Sequence, residues 1–137
     1  MMNSPELGTD KVHTAYVARK SGNVVAVAMT STAPQGYNGN IEFIMAVNND
    51  GSVSGVRVLK HKETPGLGDK IEIRKSNWIN SFTGKRIRSE GDSRWAVTKD
   101  NGIFDQFTGA TITPRAVVKG VKSTLNYFTK NKESLLT

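Results

Sequence analysis

The stretch "NIEFIMAVNNDGSVSGVRVLKH" (40–61) decides the fold, because it reads as two β-strands joined by a tight turn. Residues 40–48 and 53–61, which lie on either side of a turn signal, are predicted as the two strands. The intervening Asn49-Asp50-Gly51 contains an Asp-Gly pair, which favours a tight primed turn. We therefore predict an antiparallel hairpin.

A similar hairpin precedes it. "VHTAYVARK" (12–20) alternates apolar and polar residues, "VVAVAMTST" (24–32) is rich in β-prone residues, and Ser21-Gly22-Asn23 is a turn signal between them. The two hairpins predict four antiparallel strands. The segment "APQGYNGN" (33–40), which contains Tyr37, is predicted as a loop at the end of the sheet.

The region after the sheet is less regular. "KETPGLGDKI" (62–71) is rich in Pro and Gly and predicts a loop, followed by a short helix or turn that carries "EIRKSNWINSF" (72–82). "RWAVTK" (94–99) is interpreted as one more strand, closed by Asp100-Asn101-Gly102.

A C-terminal helix is predicted to start near Pro114. Thr113 is a good N-cap residue, and proline fits the first helical position because no hydrogen bond of its own is lost there. Apolar residues then recur at helical spacing, so one face of the helix would pack on the sheet and give an α+β fold. This stripe consists of Val117, Val118, Val121, Leu125 and Phe128.

Length and composition suit one domain. The chain has 137 residues, of which 36% are hydrophobic, enough for one core. Residues 12–137 are interpreted as the domain and residues 1–11, which lack periodicity, as a flexible tail or an appended segment. The apolar runs are far shorter than the roughly 20 residues that cross a bilayer, so the sequence given is expected to be soluble.

Charge and cysteine content limit the function. The net charge of +7 suits nucleic acid, an anionic membrane surface or a phosphorylated ligand. Without cysteine there are no thiolate metal sites, no disulfides and no cysteine nucleophile. Redox chemistry would need a bound cofactor, and no metal site is predicted. No nucleic-acid motif accompanies the basic residues, so we interpret them as a solvated surface or one facing anionic lipids or acidic partner subunits. They are Arg86, Arg88, Arg94, Lys119, Lys122, Lys130 and Lys132.

The stretch "DQFTGATITPRAVVKGV" (105–121) places small residues directly before the predicted helix. A helix N-terminus offers free N–H groups and a partial positive charge to an anion. Thr111 could hold a phosphate against those groups, while Gly109 and Ala110 would let a bulky group lie close to the backbone. The alternative is an ordinary turn, with Thr111 as an extra capping hydroxyl.

Three stretches carry a family resemblance. "DQFTGATITPRAVV" (105–118) resembles the (S/T)-G-A-T flavinylation motif of the FMN-binding domain shared by the G subunit of Rnf ion-translocating oxidoreductase complexes and the C subunit of sodium-pumping NADH:quinone reductases. The segment 36–71, which includes "HKETPGLGDK" (61–70), and the pair Trp78 and Phe82 are also similar. The resemblance covers about residues 12–130, and "TITPRAVV" is closer to the Rnf protein.

The resemblance implies covalent FMN. In that family the last Thr of the motif, here Thr111, is joined by a phosphodiester bond to the phosphate of FMN, and a separate magnesium-dependent flavin transferase makes the bond. The remaining charge would match the helix N-terminus and neighbours such as Arg115. The other motif and helix-start residues expected at the site are Asp105, Thr108, Gly109, Ala110 and Thr113.

The Pro and Gly rich loop is expected to face the flavin. By the resemblance its flavin-facing residues are Glu63, Thr64, Pro65, Gly66, Leu67 and Gly68. Trp78 is a further candidate, since Trp78, Trp95 and Tyr37 could each stack on the ring or serve the core. His61 could be a proton relay or form a structural bond.

The function implied is electron transfer as one component of a larger complex. The resemblance implies a complex in the inner membrane that moves electrons between NADH and ferredoxin while transporting sodium ions or protons, with this component on the periplasmic or outer face. The family's N-terminal transmembrane helix is missing from the sequence, which we interpret as a soluble portion of the whole protein. Two alternatives stay open: another flavinylated carrier such as the quinone reductase C subunit, and a basic binding module without cofactor, which would bind nucleic acid in a salt-sensitive way.

Overall fold

A computed structural model describes residues 2–4, 9–89 and 91–136, with side chains from residue 13 onward. The strands are β1 (Met2–Ser4), β2 (Thr9–His13), β3 (Ala15–Lys20), β4 (Asn23–Gly36), β5 (Gly39–Asn48) and β6 (Val53–Lys60). The α-helices are α1 (Ile112–Lys130) and α2 (Lys132–Leu135), and short 3₁₀ helices span Gly68–Ile71, Asn77–Phe82 and Thr98–Asp100.

The four predicted antiparallel strands are confirmed. The sheet order is β3-β4-β5-β6, and every neighbouring pair is antiparallel. In β5 the residues Ile41, Phe43, Met45 and Val47 are buried and alternate with less buried ones, as the period-two pattern requires. The fold is therefore α+β, with one face of the sheet covered.

The turn types differ from the prediction. Ser21 and Gly22 both have positive φ (53° and 81°), so the primed turn joins β3 and β4. Between β5 and β6, φ is positive at Gly51 (91°) but not at Asp50. The Asp50 carboxylate instead accepts a hydrogen bond from the backbone N–H of Ser52 at 2.9 Å, so this Asp-Gly pair does not form the predicted primed turn.

Helix α1 packs on the sheet through the predicted stripe, whose residues are at most 1% exposed. Gly120 allows the close approach, because a Cβ atom there would lie 2.9 Å from the Cβ of Ala33. A buried hydrogen bond of 2.7 Å joins the hydroxyls of Ser31 on β4 and Thr124 on α1. The sequence pattern does not reveal this pair. Within the described part of the chain, no helix has the length and apolarity needed to span a bilayer.

The predicted strand at 94–99 is wrong. Val97 forms an isolated bridge with Phe104, and a 3₁₀ helix follows over Thr98–Asp100. The segment folds back at Asn101, which has a φ of 66°, and it serves to bury Trp95, which is 3% exposed. Packing of an aromatic side chain thus overrides the local strand propensity.

The predicted tail is only partly described. Backbone at 2–4 and 9–11 lies in β1 and β2, which pair with each other as an antiparallel ribbon. The remaining residues of that stretch lie outside the described ones, so the domain boundary at residue 12 stays a prediction.

Candidate functional site

A cleft of about 280 Å³ opens at the end of the sheet beside the start of α1. Its volume lies near the lower end of the range for ligand pockets, about 300–1,000 Å³, so a cofactor in it would remain partly exposed. The lining comes from the β4–β5 turn, the loop after β6 and the segment that leads into α1. The lining residues are Tyr37, Thr64, Leu67, Gly68, Gly109, Ala110, Thr111, Ile112 and Thr113.

The Thr-Gly-Ala-Thr segment forms a tight turn along one wall. The N–H of Ala110 donates to the carbonyl of Phe107 at 3.1 Å, and Gly109 has the positive φ of 75° that this turn needs. Phe107 is buried, with its ring 5.1 Å from that of Trp78. Phe107 therefore anchors the motif to the core, a role that sequence reasoning missed although an aromatic between polar motif residues is a usable signal.

Thr111 lies at the cap of α1 and lines the cleft. Its carbonyl accepts the first helical hydrogen bond, from the N–H of Arg115 at 3.1 Å. In the described structure the Thr111 side chain makes no capping hydrogen bond. Thr111 therefore lines the cleft without a side-chain capping bond, which argues against the simple capping interpretation.

The helix begins at Ile112, two residues before the predicted start, and the prediction of Thr113 as the N-cap is wrong. The reason is a tertiary contact. The Thr113 hydroxyl donates to Oε1 of Glu63 at 2.6 Å in a buried position, so it is not available to cap the helix. Pro114 still fits the first turn, where backbone N–H groups have no intrahelical partner.

Glu63 lies behind the cleft wall instead of facing a ligand. Its residue is 5% exposed, and its carboxylate also accepts hydrogen bonds from the backbone N–H groups of Tyr37 (2.8 Å) and Asn38 (2.9 Å). This carboxylate therefore bonds to the β4–β5 turn and to the first turn of α1 at once.

His61 has both ring nitrogens engaged. Nδ1 accepts from the N–H of Glu63 at 2.9 Å, so the proton lies on Nε2, which contacts the Glu72 carboxylate at 2.8 Å. Hydrogen bonds from Arg74 first and from His61 second lower the pKa of Glu72. This geometry supports the structural role for His61 over the proton relay.

The loop after β6 meets the motif across the cleft. Leu67, 41% exposed, has its Cδ2 3.8 Å from where a Cβ atom on Gly109 would lie. Gly68 is buried against the helix, since a Cβ atom there would be 2.6 Å from Oγ1 of Thr113. Backbone N–H groups of this loop are partly used internally: that of Gly66 donates to Asp69 at 3.0 Å.

The predicted site residues separate into two groups. The structure brings Thr64, Leu67, Gly68, Gly109, Ala110, Thr111 and Thr113 to the cleft lining. Glu63 lies behind it, while Pro65, Gly66, Asp105 and Thr108 are exposed and outside the lining. Tyr37 lines the cleft, which agrees with a role beside a ligand and not with a role in the core. Ile112 also lines the cleft, although the sequence analysis did not single it out.

The structure does not bring Trp78 to the cleft. Its indole is 7% exposed, lies edge-on to Phe82 at 5.5 Å, and donates its N–H to the carbonyl of Asp105 at 2.8 Å. Trp95 is likewise buried, 6.0 Å from Phe82. Both tryptophans serve the core, and Trp78 also fixes the backbone just before the motif.

The basic side chain at the start of α1 is paired with an acidic residue. Arg115 forms a two-bond ion pair with Asp100, at 2.7 and 3.1 Å, and thereby lowers the pKa of Asp100. Arg115 is thus directed to Asp100, and the structure does not bring it to the cleft as the expected counter-charge. Elsewhere Arg94 pairs with Asp92 and Arg86 with Asp50, so these two arginines each have an acidic partner.

Comparison with known proteins gives a match that includes the residues of the cleft. The model of the FMN-binding domain family matches residues 36–126, a range that contains the whole cleft lining. A crystal structure of Shewanella oneidensis NqrC is similar in fold, with a TM-score of 0.55 and 24% identity over 85% of this chain and 60% of that one.

Several curated relatives are closer in sequence, and each is the G subunit of an ion-translocating oxidoreductase complex. The chain is 54% identical over 137 residues (100% of this chain, 65% of the relative) to the protein of Shewanella oneidensis, and 58% identical over 130 residues (95% and 61%) to that of Shewanella loihica. The protein of Vibrio parahaemolyticus is 50% identical over 137 residues (100% and 65%). The chain thus spans less than two thirds of these relatives. The match to the family model, over most of the chain and all of the cleft, shows that this chain belongs to the FMN-binding domain family.

Proposed function

We propose that the chain is the FMN-carrying part of the G subunit of an ion-translocating oxidoreductase complex, with FMN joined to the Thr111 hydroxyl by a phosphodiester bond. The observation that carries this proposal is the position of Thr111, which lines the cleft at the start of α1 and whose side chain makes no capping bond. Relatives that are 50–54% identical over the 137 aligned residues bear the name of that G subunit, whereas the likeness to NqrC concerns the fold alone.

The residues around the cleft fit a flavin. The helix N-terminus offers its free N–H groups and partial positive charge to the phosphate, and the small residues Gly109 and Ala110 leave the backbone accessible. Tyr37, Leu67 and Ile112 give the cleft apolar walls for a flat ring although each is at least 41% exposed. Bound FMN would supply redox chemistry, while the protein supplies binding, orientation and electrostatics.

The chain would act as a carrier within an assembly. A separate flavin transferase would recognise the segment from Asp105 to Thr111 and modify Thr111, since no activating base contacts that hydroxyl within the described residues. Other components of the complex would donate and accept the electrons, on the periplasmic or outer face of a membrane to which the whole protein is anchored.

The test is intact mass with in-gel flavin fluorescence after coexpression and export with an active flavin transferase. Wild type should gain the mass of one FMN less one water, Thr111→Ser should retain some attachment, and Thr111→Ala should lose it. Thr129→Ala, at the far end of α1, is the matched control and should stay modified. An unmodified wild type beside a positive-control substrate of the same transferase would refute the covalent proposal.

A further inference from the structure

The Glu63 carboxylate accepts hydrogen bonds from two other segments, the β4–β5 turn and the start of α1, and so joins them to its own loop. Oε1 accepts from the N–H of Tyr37 and the hydroxyl of Thr113, and Oε2 accepts from the N–H of Asn38, all within 2.9 Å. All three partners are donors, which complements the acceptor-only oxygens of an ionised carboxylate. Glu63 is 5% exposed, and its bond to Thr113 is buried, whereas the bonds to the two backbone N–H groups are partly buried.

These contacts join the three walls of the cleft. Tyr37 and Asn38 belong to the β4–β5 turn, 25 to 26 residues away along the chain, and Thr113 belongs to α1, 50 residues away. Glu63 itself begins the loop that supplies Thr64 and Gly68 to the lining. Because Gly68 has no side chain, this loop can approach Thr113 closely. The buried Glu63 carboxylate therefore joins all three walls of the cleft to one another.

We infer that Glu63 is a positioning residue that holds the three walls of the cleft in place beside the flavin ring without touching it. The inference rests on the proposed function. A bond at Thr111 would prevent loss of the cofactor, but a single tether leaves the ring free to rotate. The Glu63 contacts would fix the walls that orient the ring. Removing them should leave FMN attached but disordered.

The first test uses flavin-free protein and amide hydrogen exchange measured by NMR. Glu63→Gln replaces one acceptor oxygen by an NH₂ group, which would then face at least one of the N–H or O–H donors that bond to the carboxylate in wild type. Because a bond to a charged acceptor is among the stronger ones, exchange at the Tyr37 and Asn38 amides should rise by about tenfold or more. Thr113→Val should raise it less, and Thr113→Ser, which keeps the hydroxyl, should match wild type. Unchanged exchange in Glu63→Gln would overturn the inference.

The second test uses FMN-loaded protein. Glu63→Gln should keep its attached mass yet lose most of its visible circular dichroism and have lower flavin fluorescence anisotropy. Ile79→Val removes one methylene from a fully buried site elsewhere, and this general destabilisation should leave both flavin signals at wild-type values. Wild-type dichroism in Glu63→Gln would contradict ring positioning. Absence of attached FMN in wild type would instead contradict the proposed function, with the exchange test still deciding the Glu63 contacts.

Discussion

Two regions of the molecule are built from large apolar side chains, and they use them in opposite ways. An aromatic cluster beneath the sheet contains rings that are at most 7% exposed: Trp78, Phe82, Trp95, Phe104 and Phe107. The three large apolar walls of the cleft are open to solvent instead: Tyr37 is 65%, Leu67 41% and Ile112 46% exposed.

The contrast teaches which region stabilises the fold and which is kept for a ligand. Buried rings are removed from water and contact each other, so they stabilise the folded chain. Exposed apolar side chains gathered around one cleft gain little from folding, and such a grouping is typical of a binding site. Phe107 connects the two regions because its ring is buried in the cluster and its carbonyl accepts a hydrogen bond from the N–H of Ala110, which lines the cleft.

The largest effect is expected from Phe82→Ala. This ring is fully buried between Trp78, Trp95 and Phe104, so its loss should lower the free energy of unfolding by about 3–5 kcal/mol. Urea unfolding followed by tryptophan fluorescence measures it. Tyr37→Ala, which removes an exposed aromatic from the cleft, is the matched control and should stay close to wild type. Equal losses of unfolding free energy in the two variants would contradict the contrast between the regions. If Phe82→Ala does not fold, the same measurement is made on Phe82→Leu.

The same contrast describes what the sequence could predict. Strands β3 to β6 could be predicted because turn signals separate runs of β-prone residues, and the stripe of α1 follows from helical periodicity because it buries one continuous face. The segment 94–99 could not be predicted, since its conformation is set by where Trp95 finds a partner. In the cleft, the Thr-Gly-Ala-Thr motif and the Pro and Gly rich loop were identified through the family resemblance, since small residues alone suit an ordinary turn equally well. The direction of the Glu63 carboxylate was not, because its partners are 25 to 50 residues away.

A smaller loss is expected from Gly68→Ala. The added methyl would lie 2.6 Å from Oγ1 of Thr113 and 3.0 Å from Cβ of Glu63, and Thr113 cannot rotate away without losing its bond to Glu63. Overpacking of this kind should cost about 1–3 kcal/mol, measured by urea unfolding, and should reduce flavin ordering.

Gly55→Ala is the control for that variant. Gly55 lies in β6, and a Cβ atom there meets open space, so stability should not fall. A Gly68→Ala protein as stable as Gly55→Ala would mean that the loop and helix are not tightly held together, which would weaken the role given to Glu63 in holding the cleft walls.

The ion pair beside the helix start should matter less and should depend on pH. Arg115 lowers the pKa of Asp100, whose side chain is 40% exposed. A lowered pKa contributes stability above the unfolded value of about 3.9, and this contribution is lost as the pH falls through the folded pKa. Asp100→Asn should therefore be slightly less stable than wild type at pH 7, with the difference shrinking in acid. Thermal unfolding from pH 7 to pH 2 measures it, and a difference that grows in acid would contradict the assignment.

The smallest effect on stability, and the sharpest separation of the two regions, is expected from Leu67→Ala. Its side chain is 41% exposed and faces Gly109 across the cleft, so unfolding should change by no more than about 0.5 kcal/mol. Leu59→Ala, an exposed leucine on β6 away from the lining, should do the same. Of the two, only Leu67→Ala should alter the visible circular dichroism of attached FMN, because only Leu67 lines the cleft in which we propose that the ring lies. A stability loss as large as that of Gly68→Ala would make Leu67 a packing residue, and the apolar cleft wall would then belong to the core after all.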